Sequence, residues 1–164
     1  MRKTDVLVVG AGPAGCIAAR EAAAGGTGLD VLLIERDRAI GAPVRCAEGV
    51  GSAGLREFLD PTGADWVSRR ITKVIFWAPD DTEVRVAEGD VGYVLDRTRF
   101  EPVLADEARR AGAEVLIRTE ACGMVRDDGG WKVRLTGPRG EQEIRAKIVI
   151  GADGANGTSA KALG

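Results

Sequence analysis

Hydrophobic positions in this chain follow two rhythms. Unbroken apolar runs at residues 6–9, 31–34 and 148–150, with a further strand expected at 114–117 behind Glu114, are rich in β-branched side chains and do not alternate. That is the pattern of strands covered on both faces of a parallel sheet. Two stretches have helical spacing instead. One runs over residues 13–24, with Pro13 in its first turn, where a missing N–H costs nothing. The other runs over 97–111, where Phe100, Val103, Leu104, Glu107 and Ala108 share a face and Gly112 supplies the stop. Elsewhere polar and apolar residues are interleaved. Residues 72–77, 83–86 and 92–95 predict a small antiparallel meander. Residues 123–126, 131–136 and 142–146 predict a second, with tight turns at Asp128-Gly129-Gly130 and over 137–140. Ahead of both sets, residues 40–51 hold three glycines and a proline and read as a loop. A short helix at 55–59 is expected to end at Asp60-Pro61.

The junction between the first strand and the first helix carries candidate chemistry. In Gly10-Ala11-Gly12-Pro13-Ala14-Gly15, Gly10 allows the tight reversal, Gly12 lets a pyrophosphate approach the backbone, and Gly15 lets helix and strand pack closely. Unpaired N–H groups and the dipole at the helix start favour a diphosphate. Glu35 stands twenty residues beyond Gly15, at the end of the second strand, placed to accept from ribose hydroxyls. An acid there suits a free 2′-hydroxyl and repels a 2′-phosphate, which favours FAD or NAD over NADP. The plainer alternative is a glycine-rich turn beside a solvated Glu35.

Composition narrows the chemistry further. The 164 residues, 45% hydrophobic and 29% charged with net charge −2, describe a globular domain with neither a basic nucleic-acid face nor a run of transmembrane length. Met1-Arg2-Lys3 precedes an apolar run too short for a secretion signal, so a mature cytosolic N-terminus and a cytoplasmic protein are expected. Cys16, Cys46 and Cys122 are far apart with no CxxC spacing, which fits a reducing compartment. The absence of histidine removes Ser-His-Asp and Cys-His catalysis and every histidine-ligated metal. Any reaction is expected to be carried by a cofactor.

Four segments in order, VVGAGPAG with Glu35, GAPVRCAEG, YVLDRTRFEPVLADEARRAGAEV and KIVIGADGANG, resemble the geranylgeranyl reductase family. Its members are FAD-dependent enzymes, related in fold to aromatic hydroxylases, that saturate isoprenoid double bonds. The resemblance implies an α/β fold: a Rossmann-like FAD-binding domain with a parallel central sheet, a β-meander crossover and an inserted small antiparallel sheet. It implies that Gly10, Gly12, Pro13, Ala14 and Gly15 line the FAD pyrophosphate and that Glu35, with Arg36 beside it, binds the adenosine end. Arg45, Cys46 and Ala47 match a loop near the cofactor. Arg97 matches an FAD-contacting arginine, and Ala121 joins the cofactor-binding set. Asp153 and Gly154 match a motif near the pyrophosphate that also serves nicotinamide handling. Each has a plainer alternative: a solvated Arg45, a buried Cys46, a surface Arg97, a turn-forming Asp153-Gly154.

The implied reaction adds a hydride from reduced flavin to one alkene carbon and a proton to the other, with Cys46 and Glu48 the candidate proton donors. The implied partners are an isoprenoid or lipid substrate and a reduced donor, NAD(P)H or ferredoxin, with no nucleic acid. A longer protein of this kind allows peripheral membrane contact. The family also carries a Gly-Asp flavin motif and a lipid-tunnel domain beyond the position of Gly164, so residues 1–164 are expected to form an incomplete FAD-binding domain. Two other readings stay open: an FAD-dependent aromatic monooxygenase, against which PVRCAEG speaks, and an inactive fragment that holds nucleotide weakly.

Overall fold

The computed structural model describes the whole chain except Thr27, Arg45, Ala47, Asn156 and Gly164, and except the side chains of Val86, Ala87, Glu88 and Leu163. The chain divides into two compact units, Met1–Ala42 with Glu101–Gly164, and Pro43–Phe100.

The first unit is a six-stranded sheet in the order β6-β2-β1-β9-β8-β7. Its strands are β1 (Arg2–Val9), β2 (Val31–Ile34), β6 (Glu114–Leu116), β7 (Glu120–Asp127), β8 (Gly130–Gly137) and β9 (Gly140–Gly151). β6, β2, β1 and β9 pair in parallel; β9, β8 and β7 pair antiparallel. Helix α1 (Pro13–Ala23) connects β1 to β2, and α4 (Thr158–Leu163) follows β9. Leu7, Val9, Leu32 and Ile34 of the parallel strands share one core with Met124, Val133, Leu135 and Ile144 of the meander. The unbroken apolar runs of β1 and β2 are thus explained by burial on both faces, as expected inside a parallel sheet, whereas those of β9 and the edge strand β6 are only partly covered, with Ile148 exposed.

One predicted break is absent. Residues 142–146 and 148–150, expected as two strands, are one. β9 pairs with β8 through Ala146 and with β1 from Ile144 to Gly151, so exposed Lys147 interrupts the apolar pattern but not the ladder.

The second unit is a three-stranded antiparallel sheet, β3-β5-β4, formed by β3 (Gly49–Gly51), β4 (Val67–Trp77) and β5 (Glu83–Leu95), with the one-turn helix α2 (Ser52–Arg56). Here too two predicted strands, 83–86 and 92–95, are one. Gly89 sits at φ +110°, and the register slips so that Ile71 and Lys73 pair with Gly92 and Glu88. Extra residues are absorbed as a bulge, which bends a strand without ending it. The short helix also begins earlier than expected, at Ser52, and residues 58 and 59 only close a turn onto the Leu55 carbonyl. Helix α3 (Arg97–Ala111) has its expected bounds, and the division between units falls within it, after Phe100. Its start is capped by Asp96, whose Oδ1 accepts the Thr98 N–H at 3.0 Å.

Candidate functional site

The parallel strands of the first unit end at the glycine turn. Gly10 donates its N–H to the Ile34 carbonyl at 2.8 Å and adopts φ +98°. A Cβ there would lie 2.5 Å from the Ala152 oxygen. At Gly15 a Cβ would overlap the Gly10 carbonyl oxygen, so any side chain would force α1 off the strand. Gly12 differs from both. Its backbone is extended, at φ −70° and ψ 180°, and a Cβ would have nothing within 4 Å. The fold needs glycine at positions 10 and 15 and has no use for one at 12.

Gly12 is also the N-cap of α1. It offers no capping side chain, and the first turn holds no acid. The helix therefore presents its N-terminal N–H groups without a side-chain acceptor, with Pro13 leading the helix and Ala14 exposed. Cys16, next along, is fully buried, with its thiol 3.2 Å from the Ala11 carbonyl. Burial first, then the charges of Glu101 and Glu35, push that thiol up to about 12.

Glu35 ties the turn to β2. Its Oε2 accepts the Ala11 N–H at 2.8 Å and its Oε1 the Asp37 N–H at 2.9 Å. Its backbone is held by the Leu116 carbonyl and the Thr119 N–H. A carboxylate has about four acceptor positions, so a half-buried Glu35 with two accepted bonds keeps capacity for hydroxyl donors. Arg36 is exposed. The uncapped helix start, the open flank of Gly12 and the carboxylate fit a dinucleotide diphosphate with its ribose.

Asp153 approaches Gly10 from β9 through its backbone: a Cβ on Gly10 would be 2.9 Å from the Asp153 Cα. Its side chain turns to α4, where Oδ2 accepts the Ser159 N–H at 3.0 Å and Oδ1 accepts the Ser159 hydroxyl. Burial, the largest influence, would raise its pKa, but these donors more than offset it and hold the carboxyl below its ordinary value. Gly154 follows at φ +77°. Ala121, in β7, is buried in the core opposite Leu135.

The remaining predicted residues belong to the second unit. Cys46 is exposed. Glu48 sits at φ 64°, and its carbonyl accepts the Leu95 N–H at 2.9 Å. One oxygen of its carboxylate accepts the Arg97 N–H at 3.2 Å, which ties the loop to the start of α3. Arg45 and Ala47 lie outside the described residues. Among the described residues no cluster of three His, Cys, Asp or Glu is arranged to hold a metal, and no helix is long and apolar enough to cross a membrane.

Sequence reasoning missed Ala152 and Ser159. A small residue and a serine carry no signal of their own, since their importance lies in contacts with Gly10 and Asp153 made across the fold.

Residues 3–164 match the family model described as FAD binding domain. The chain is 48% identical over 156 residues to the digeranylgeranylglycerophospholipid reductase of Methanocella arvoryzae, an alignment covering 92% of this chain and 39% of that protein. It is also 48% identical over 155 residues to the protein of that name from Methanosarcina acetivorans, covering 92% and 37%. Among solved structures, a geranylgeranyl bacteriochlorophyll reductase-like protein from Thermoplasma acidophilum superimposes with a TM-score of 0.82 at 36% identity, over 94% of this chain and 40% of that one. The chain spans about two fifths of the length of these relatives. The resemblance read from its motifs is borne out, and so is the expected parallel sheet with a separate small antiparallel one.

Proposed function

This chain belongs to the FAD binding domain family, and from that premise we propose that it holds FAD for a reductase saturating the C=C bonds of geranylgeranyl chains on glycerophospholipids or their precursors. The observation that carries the binding half is Gly12, a glycine that neither strain nor crowding inside the fold requires, at an uncapped helix start. A diphosphate drawn up to that backbone explains it. Gly10, Pro13, Ala14 and Gly15 shape the turn, and Glu35, flanked by Arg36, takes the ribose hydroxyls while holding Ala11. Arg45, Ala47, Arg97, Ala121 and Gly154 complete the proposed cofactor set. When bound and reduced by two electrons from its donor, the flavin would supply a hydride for one alkene carbon and return to its oxidised form. Cys46 and Glu48 are the residues proposed to bring the proton to the other carbon, and a reduced donor, NAD(P)H or ferredoxin, restores the electrons. A lipid substrate makes peripheral contact with a membrane part of the proposal.

Two experiments test the two halves. FAD titrated onto the protein should quench flavin fluorescence saturably. ADP should displace it, and 2′-phospho-ADP should do so less well because of Glu35; equal displacement by both would remove Glu35 from the ribose. Deleting the gene should leave the host's geranylgeranyl lipids unsaturated by mass spectrometry, and fully saturated lipids in the deletion strain would contradict the reductase reading.

A further inference from the structure

We propose that residues 117–119, between β6 and β7, are a clasp that sets the ribose selectivity of the nucleotide site, with Thr119 a positioning residue for Glu35; the selectivity rests on the FAD reading above. Among the described residues of the first unit, Arg118 is the one non-glycine residue with a left-handed backbone, at φ 53°. Such a backbone is uncommon for arginine, persists only where its surroundings fix it, and collects at ligand sites. Here it turns successive N–H groups to one side. Arg118 donates to the Asp37 carbonyl at 3.0 Å and Thr119 to the Glu35 carbonyl at 2.7 Å, while Glu35 donates its own N–H to the Leu116 carbonyl at 2.8 Å. The ladder between β2 and β6 ends at Ile34 and Leu116, so these bonds carry the pairing past the strand end to Asp37. With its backbone fixed on the β6 side, Glu35 reaches across to the Ala11 N–H of the glycine turn and back to the Asp37 N–H.

The clasp is held from within and from behind. Thr119 is only 8% exposed, and its hydroxyl donates to the Ile117 carbonyl at 3.1 Å, which closes the turn around Arg118. Gly137, at the end of β8, packs against the back of the turn. A Cβ there would lie 3.1 Å from the Arg118 carbonyl oxygen and 3.3 Å from the Thr119 Oγ1. Its backbone is not left-handed, so glycine stands there for space. The diphosphate end of the site is shaped separately, by the contacts of Gly10 and Gly15 with each other and with Ala152. Displacing the clasp therefore moves Glu35 and leaves the helix start in place. A carboxylate misdirected by a fraction of an ångström loses hydroxyl donors, because those bonds depend on direction. A nucleotide without ribose hydroxyls has nothing to lose there.

Displacing FAD from the intact chain with ADP and with 2′,3′-dideoxy-ADP separates the two ends of the site. Wild type should prefer ADP at least about tenfold, the effect of one hydrogen bond to a charged acceptor. Thr119→Val, which keeps the shape and removes the hydroxyl, should weaken ADP about fivefold and leave 2′,3′-dideoxy-ADP within about twofold of wild type. Gly137→Ala should do the same by pushing on the clasp from behind. Thr119→Ser should keep the wild-type preference, and so should Arg118→Gly, since glycine takes that backbone freely. Without nucleotide, the amides of Arg118 and Thr119 should exchange faster in Thr119→Val while those of Leu7 and Leu33 stay protected, which shows that the variant is folded. The clasp is overturned if Thr119→Val and Gly137→Ala keep the wild-type preference or weaken both nucleotides alike. It is overturned too if Arg118→Gly alone abolishes the preference, because the guanidinium would then meet the ribose itself. A wild type that binds FAD and treats both nucleotides alike removes the clasp's role alone, whereas one that binds neither FAD nor ADP removes the functional reading with it.

Discussion

β2 and β4 are both rich in β-branched residues, and the structure treats them in opposite ways. All four residues of β2 are buried, whereas none of the eleven in β4 is. At the end of β4, Phe76 and Trp77 are 59% and 66% exposed. β2 is held by side chains packed on both faces. The β4–β5 hairpin is held by its backbone ladder and by surface groups such as Asp90, which meets Arg56, Arg70 and the Tyr93 hydroxyl. Exposed ion pairs of this kind contribute little individually. The glycine turn therefore grows from the closely packed unit, where a single Cβ matters, and a side chain in the hairpin can be exchanged cheaply.

The largest test of that contrast is Gly15→Ala. By helix propensity alone it should help, but its Cβ would overlap the Gly10 carbonyl, and we expect a loss of about 3 kcal/mol or more in urea unfolding. Gly54→Ala in α2, with open space around it, should be neutral or gain up to about 1 kcal/mol. Equal effects at the two sites would erase the contrast. Next in size, Leu33→Ala at a fully buried position should cost about 3 kcal/mol, while Phe76→Ala should cost less than about 1 kcal/mol.

A smaller effect concerns alkaline pH. The Cys16 thiol is raised in the fold from 9.0 to about 12, so the stability it contributes is complete below pH 9 and declines as pH rises towards 12. Cys16→Ala should flatten that decline. At neutral pH only the exposed Cys46 and Cys122 should react with a thiol reagent in the native protein, and rapid labelling of all three would contradict the burial. The smallest effect lies at acid pH. The lowered pKa of Asp153 contributes stability that is present above the unfolded carboxyl range and lost as pH falls through the folded value. Asp153→Asn should remove that part of the acid transition.

The same contrast governs what the chain alone revealed. Strands covered on both faces leave continuous apolar runs, and a helix with one covered face leaves a helical period, so β2 and α3 were legible to the residue. The hairpin was legible only in outline: its antiparallel pairing was expected, but neither the start of β4 at Val67 nor the continuity of β5. Its positions alternate loosely between solvent and partner, and Ala87-Glu88-Gly89-Asp90 looks like a turn until Gly89 is seen to bend one continuous strand. The site divides likewise. The roles of Gly10 and Gly15 follow from spacing, because the geometry of a βα turn is local. That Asp153 faces Ser159 rather than open space could not be read, because turn chemistry explains an Asp-Gly pair equally well. Glu35 was legible as an acid at a strand end, while its bonds to Ala11 and Asp37 depend on how the turn folds back over β2.

Gly12→Ala gives the most direct test, because Gly12 is the glycine of the turn that the protein's own packing leaves unexplained. The variant should unfold within about 0.5 kcal/mol of wild type and bind FAD at least about tenfold more weakly in the same fluorescence titration, since its methyl would stand where the diphosphate approaches. A Gly12→Ala protein that folds normally and binds FAD as tightly as wild type would contradict the site.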